Sequence, residues 1–426
     1  MDLATCPDNA LFHLDPRATD VNGEGARLRE AGRLVPAVLD GGIRAWATGH
    51  LPVAAAILGG RQFRKHPSHW ADLQNGKITD GAPGILEFVL MPGMLNEDGA
   101  RHRQLRDLVR QAFTPRRVEN LRPRITAIVQ DLVTELAQTA PEQLVDLRRQ
   151  FAFPLPMRII CELFGLDYSA SDELARHYAA IHDSRSKAAD IAAGKAGLAQ
   201  IITDLIAAKK HRPADDLTSA LIHATTGERD TGNGAVLDDE LLMYTLMLFL
   251  FAGHETTQNL IVNALKALGD HPDQLERLRS GSISIDSVVE ETLRWASPIH
   301  TIMFRYAAED VDVAGTGVTV KKGDAVVICV AASGRDHETF GPAADEFDAA
   351  REVLAQHLAF GHGAHYCIGA PLARLMTRTA LAVFTTAFDV DRSDAPTPEP
   401  ISSYSPNSFT SLWGRLTVRQ PVTAAA

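Results

Sequence analysis

Residues 241–253 read LLMYTLMLFLFAG, thirteen positions in which Tyr244 and Thr245 are the polar exceptions. A helix that is apolar on every face must be surrounded, either by protein or by lipid. Thirteen residues fall short of the about 18 or more that would cross a membrane, so the run reads as a helix through the middle of a folded chain. Asp238, Asp239 and Glu240 precede it and supply an N-cap and negative charge at the positive helix end. Asp270 and Pro272 stand where it should stop. One helix from about Asp238 to Leu268 is therefore expected, roughly 45 Å long at ~1.5 Å per residue. A chain of 426 residues can wrap such a rod and still enclose a ligand.

Helical periodicity recurs on both sides. It is seen in ARHRQLRDLVRQAF (100–113), in VENLRPRITAIVQDLVTELAQ (118–138) and in FPLPMRIICELFGL (153–166). Residues 172–212 read as two helices joined by a polar turn, and Asp215 and Asp216 begin another. Strand patterns are shorter: IRAWATG (43–49), LPVAAAIL (51–58, equally a helix start), VDVAGTGVTV and GDAVVICVAA (311–332), and LTV (416–418). No repeat, linker or break in composition divides the chain. The expected class is α+β, mostly α-helical, as a single domain over 1–426. Its helix-rich core should lie at about 100–300 and 350–390, with small β portions at about 40–60, 300–335 and 400–420.

Lys and Arg number 42 against 53 Asp and Glu, a net charge of −11. That balance argues against nucleic acid or an anionic membrane as the main partner. The four cysteines, Cys6, Cys161, Cys329 and Cys367, form no CxxC and no disulfide framework. The first residues lack the basic and apolar stretches of a signal peptide. The expectation is a soluble cytoplasmic protein.

Three segments carry chemistry. The first is AGHETTQN (252–259), which interrupts the apolar helix with consecutive polar side chains. Burying each unpaired would cost on the order of 1–3 kcal/mol, so water, a ligand or a distortion at Gly253 should relieve it. Glu255 beside Thr256 pairs an acid with an alcohol, the makings of a proton relay. The second is SVVEETLRWASP (287–298), which holds Glu291 and Arg294 three apart; on its own this is an ordinary helix ion pair. The third is HLAFGHGAHYCIGAPLARL (357–375), in which Gly361, Gly363 and Gly369 surround Cys367 just before a helical pattern. Backbone N–H groups and the helix start favour a thiolate there, and glycine-rich backbone suits close approach of a flat, bulky cofactor. Cys161 and Cys329, among apolar neighbours, read as inert core thiols. A zinc site built from His357, His362, His365 and Cys367 is the chemical alternative.

Together these segments resemble the cytochrome P450 family. Phe360 to Gly369 matches its haem-binding loop, FGxGxHxCxG, at every fixed position; AGHETT matches its oxygen-activating helix and ETLR its ExxR helix. Arg305, in MFRYAAED, falls where the family places a haem-propionate arginine, and His102 with Arg106 matches its HxxxR helix. The likeness covers roughly residues 60 to 418, in order. It departs from the family at DVNGEGARLREAG near the N-terminus, at His337 where proline is common, and at Met376 where glutamate is frequent.

The resemblance implies the P450 fold and haem b, with Cys367 as the iron ligand and Glu255 and Thr256 as catalytic residues. Ala252 and Gly253 would leave room for oxygen; Phe360 and Gly369 would shape the cofactor loop. His102, Arg106, Arg305 and His365 would hold the propionates, and Glu291 with Arg294 would support the loop. The activity implied is monooxygenation of a hydrophobic small molecule, by hydroxylation or epoxidation, in bacterial specialised metabolism. Electrons would come from NAD(P)H through a ferredoxin reductase and a ferredoxin, docked near Arg103 and Arg110. Leu90, Leu248, Phe251, Ile299, Ile302 and Phe409 are the substrate contacts it implies. A haem-thiolate protein without monooxygenation (a peroxygenase, dehydratase or ligand sensor) is the alternative, disfavoured by the intact Glu255–Thr256 pair.

Overall fold

The structure, a computed structural model, describes residues 3–78, 85–110, 113–182, 186–226, 237–352 and 356–419. Eight helices position the site: α1 (Gly99–Arg110), α2 (Arg122–Ala137), α3 (Pro154–Phe164), α4 (Ser171–His182), α5 (Ala188–His211), α6 (Asp239–Asp270), α7 (Ile285–Trp295) and α8 (Ala370–Ala387). α6 is the expected central rod. The Asp238 carboxylate accepts the Leu241 N–H at 2.8 Å, and the helix runs 32 residues, two beyond the expected stop. It packs against α3, α5, α7 and α8, so the apolar stretch from Leu246 to Phe251 is buried on all sides. α5 is, among the described residues, the helix long and apolar enough by composition to cross a membrane, yet it lies along α4 and α6 and buries Ile191, Leu198 and Ile202 against them.

The β portion comprises β1 (Phe12–His13), β2 (Val35–Val38), β3 (Arg44–Thr48), β4 (Phe63–Arg64), β5 (Leu144–Asp146), β6 (Thr301–Ala307), β7 (Val311–Val313), β8 (Val318–Val320), β9 (Ala325–Cys329), β10 (Phe388–Asp391) and β11 (Trp413–Val418). A mixed six-stranded sheet has the order β1-β2-β3-β9-β6-β4, a second sheet the order β10-β11-β5, and β7 and β8 form a hairpin. Residues 51–58 resolve as the helix Leu51–Gly59 rather than a strand. The strand expected through residue 332 ends at Cys329, and Val330–Ser333 turns into a short helix whose Ser333 hydroxyl donates to Cys329 O at 3.0 Å. His337 opens another short helix and reaches Asp345 at 2.7 Å, while Met376 is buried in the core.

β6 matters most for the site. Its pairing with β9 shifts register between Ile302 and Arg305. In a regular strand residues three apart face opposite sides. The irregularity re-aims the strand, as bulges do, and both Ile302 and Arg305 face the same cavity.

Candidate active site

A cavity of about 400 Å³ lies between α6, β6 and the loop that precedes α8. The loop descends from its glycines. Gly361 and Gly363 adopt φ of 70° and 72°, a region open to glycine without steric cost. A Cβ on Gly363 would also stand 3.0 Å from Gly59 Cα and 3.1 Å from Leu58 O. The Cys367 N–H donates to Phe360 O at 2.9 Å, closing the loop on itself. Arg374, one turn into α8, lies 4.5 Å over the Phe360 ring and donates to Glu290, which also accepts from His357 at 3.0 Å. Burial raises the Glu290 carboxyl, but the hydrogen bonds from Arg374 and His357 overcome it and hold the group at about 2.

Cys367 lines the cavity and is half-buried, unlike the other three cysteines, which are buried. Burial raises its thiol above the ordinary value; the N–H groups of Gly369 and Ala370, with Arg106 and Arg374, pull the other way without prevailing. The expected thiolate is thus not secured by the helix start alone. A cation bound at the sulfur would favour its ionisation, as metals do for coordinating thiols. The zinc alternative fails on geometry: among the described residues no three His, Cys, Asp or Glu side chains converge, and His357 is engaged by Glu290.

The ExxR pair is not a surface contact. Glu291 and Arg294 are fully buried and joined by two hydrogen bonds of 2.7 Å. The guanidinium also donates to Gly334 O, Ala344 O and Glu346 O at 2.6 to 2.8 Å. Glu291 in turn accepts the Asp348 N–H at 2.8 Å.

On α6 the polar run stays inside the protein, and the helix continues unbroken through Gly253. Of the three reliefs expected, distortion is absent; protein partners serve the Thr256, Thr257 and Asn259 side chains, while His254 Nε2 has none among the described residues. The Thr256 and Thr257 hydroxyls donate to Ala252 O at 2.6 Å and Gly253 O at 3.1 Å. Asn259 accepts from Arg148 at 2.8 Å and donates to Pro298 O at 3.4 Å. Ala252 and Thr256 face the cavity, and Gly253 lies where a Cβ would come within 3.2 Å of Ile160. Glu255 lines the cavity as well, and its polar contacts are with Tyr178 and Arg148. Its carboxylate accepts from the Tyr178 hydroxyl of α4 and sits 4.0 Å from the Arg148 guanidinium. Burial raises its pKa against the pull of Tyr178 and Arg148. Glu255 and Tyr178 also line a second cavity, of about 290 Å³, shared with Arg148 and His254. Burial and Arg148 bring His254 down to about 3.

At the other end of the main cavity, the His102 and His365 rings lie 4.1 Å apart. Burial holds His365 at about 2, with Arg305, His102, Lys65 and Arg106 adding to it. Arg106 donates to Tyr366 O at 2.6 Å, and Arg305 to Phe304 O at 3.2 Å. Of the expected substrate contacts, Leu248, Phe251, Ile299 and Ile302 line the cavity. Leu90 does not: it ends a short helix with its side chain 47% exposed, and Ile85 and Phe88 take the wall. Phe409 also misses, packing under Lys266, and Tyr404 to Pro406 face inward instead. Sequence reading missed Tyr178, Arg148, Glu290 and Lys65, none of which sits in a recognisable spacing.

The family profile described as Cytochrome P450 matches residues 192–281 and 284–411. The chain belongs to the cytochrome P450 family. The P450 is 40% identical over 373 residues to 2-hydroxy-5-methyl-1-naphthoate 7-hydroxylase of Streptomyces carzinostaticus, covering 87% of each chain. It is 38% identical to the cytochrome P450 monooxygenase PikC of Streptomyces venezuelae, covering 84% of this chain and 81% of that one. The solved structure of CYP154C4 from a Streptomyces strain superimposes with a TM-score of 0.88 at 37% identity, over 95% of this chain and 98% of that one. This P450 is accordingly a haem-b monooxygenase of the kind found in bacterial secondary metabolism, acting with O2 on hydrophobic molecules and using electrons from NAD(P)H through redox partners. The residues present suit that cofactor. A thiol lines one part of the cavity, buried cationic side chains gather at another, and between them the lining is chiefly apolar. A flat apolar ring with two carboxylates and a central metal asks for that donor set.

Proposed function

We propose that Cys367 ligates the haem iron, that His102, Arg106, Arg305 and His365 receive its carboxylates, and that Glu255 and Thr256 manage the protons of oxygen activation. The observation that supports this reading is the thiol of Cys367 lining the same cavity as Ala252 and Thr256. Bound there, the haem supplies oxygen binding and activation, with thiolate donation favouring O–O cleavage. The protein residues do the rest. Phe360 and Gly369 shape the sulfur's surroundings, and Gly253 and Ala252 keep the α6 surface low where oxygen must fit. The Thr256 hydroxyl donates to Ala252 O, so its lone pairs are free to accept from a group in the cavity. Glu255, with its raised pKa, can hold a proton on its carboxyl; passing it toward Thr256 Oγ1 requires the carboxyl to leave Tyr178 or a water to bridge. Leu248, Phe251, Ile299 and Ile302 would orient a hydrophobic substrate and exclude water. The experiment is the reduced, carbon-monoxide-bound absorption spectrum, followed by a substrate-binding spectral screen. A spectrum without the thiolate signature removes the reading.

The partner we propose is a ferredoxin served by a ferredoxin reductase, in the cytoplasm. α1 and the segment after it carry Arg103, Arg110, Arg116 and Arg117 on the surface, close to the loop that Arg106 joins. Arg122 and Arg124 are engaged by Glu119 and Glu162. Exposed cations steer an acidic partner and make its association salt-sensitive. Arg103→Glu with Arg110→Glu is expected to slow haem reduction by ferredoxin and flatten its salt dependence, with substrate affinity unchanged. Stopped-flow reduction at several salt concentrations checks this; equal rates and slopes move the docking face elsewhere.

A further inference from the structure

Lys65 follows β4 directly and is only 2% exposed, yet it lines the main cavity. Its backbone N–H donates to both Asp98 oxygens at 3.0 and 2.9 Å, and the next N–H, of His66, donates to Asp98 at 2.8 Å. Asp98 stands immediately before α1, so this clamp fixes Lys65 against the helix that bears His102 and Arg106. The ammonium donates to Met303 O on β6, two residues from Arg305. With three donors on the group, one carbonyl leaves capacity for more. Burial, with Arg305 adding to it, pulls the Lys65 ammonium well below its ordinary value, and Asp98 opposes the shift only in part.

Charge counting gives the pocket's requirement. Lys65 and Arg305, both buried, and the half-buried Arg106 gather at this end of the cavity, with Asp98 as the nearby carboxylate. These basic groups outnumber the one carboxylate, and buried charge is expensive unless paired. Iron(III), the porphyrin ring and a thiolate cancel one another, which leaves the two carboxylates of haem as the charges to be matched. We propose that Lys65 is a direct ligand of a haem carboxylate, a further cofactor-binding residue beside His102, Arg106, Arg305 and His365. The inference rests on the haem site proposed above.

The test separates charge from packing on the purified holoenzyme. Lys65→Gln can keep the bond to Met303 O and loses the charge; Lys65→Arg keeps the charge. Hydrogen bonds to charged groups contribute enough for about ten- to hundredfold changes in affinity. Haem transfer to excess apomyoglobin is therefore expected to run about ten- to hundredfold faster from Lys65→Gln, with Lys65→Arg closer to wild type. Reduction adds a negative charge to the site, so loss of the nearby cation should also move the haem potential to a more negative value. If Lys65→Gln retains the thiolate-type carbon monoxide spectrum but matches wild type in haem loss and in potential, Lys65 is no carboxylate ligand although the haem site stands. Loss of the thiolate signature from the wild type would instead overturn the site itself. A measurement on the unaltered protein guards against a variant that does not fold. In the reduced carbon-monoxide form, with nitrogen-15 lysine, the Lys65 ammonium protons should show a nuclear Overhauser contact to propionate methylene protons, and absence of that contact rejects the proposal.

Discussion

Cys367→Ser is expected to abolish the thiolate-type spectrum and all oxygenation. The Cys367 thiol is already held above its ordinary pKa by burial, despite the Gly369 and Ala370 N–H groups and two arginines. A serine hydroxyl is a far weaker acid, and the same surroundings cannot ionise it. The donation that favours O–O cleavage is then lost, while the loop, fixed by Cys367 N–H to Phe360 O at 2.9 Å, keeps its backbone bond. Carbon monoxide spectra and product assays on the variant check both halves. A serine variant that retains the spectrum and turnover would falsify the assignment of Cys367 to the iron.

Arg294→Ala should cost most of the folding stability. It strands a fully buried carboxylate and removes the donor from the carbonyls of Gly334, Ala344 and Glu346. Breaking one side of a buried pair costs about 3–5 kcal/mol, and orphaned carbonyls add to that, against a total of about 5–15 kcal/mol for a typical protein. Arg294→Lys should rescue little, since three donors on one nitrogen cannot cover five bonds spread over a planar fork. Thermal melting and the yield of haem-loaded protein measure the effect. A melting temperature equal to wild type would show that the network stabilises nothing.

The parts of the fold that the chain announces are those with one physical solution. A near-apolar run of thirteen residues with a cap before it reads as a sheathed helix, and α6 is one. The glycines around Cys367 mark backbone that other residues adopt poorly, and Gly361 and Gly363 do take positive φ. What stayed hidden depends on direction or on distant partners. Leu90 and Phe409 lie in segments that flank the cavity, but which side chain of a short turn points inward is not set by spacing. Tyr178 finds Glu255 across 77 residues, and Arg148 finds Asn259 across 111. Ionisation of Cys367 divides the same way: the helix start that favours the thiolate is visible in sequence, whereas the burial that opposes it is a property of the whole fold. The polar run on α6 likewise needed partners that no local pattern names.

The bond from Arg106 to Tyr366 O spans 260 residues of chain, and Lys65 reaches Met303 O across 238. Contacts this remote form slowly, because the chain between their ends must lose its freedom before they stabilise anything. The cofactor end of the cavity therefore belongs to the late stages of folding, after local helices such as α2 and α8 have formed. Haem bound there would favour that last closure by pairing with the cations gathered at it. In a cell making the protein faster than it makes haem, chains would complete their helices and wait with unneutralised arginines and lysine facing one another. Slower synthesis or added haem precursor is then expected to raise the share of holoprotein.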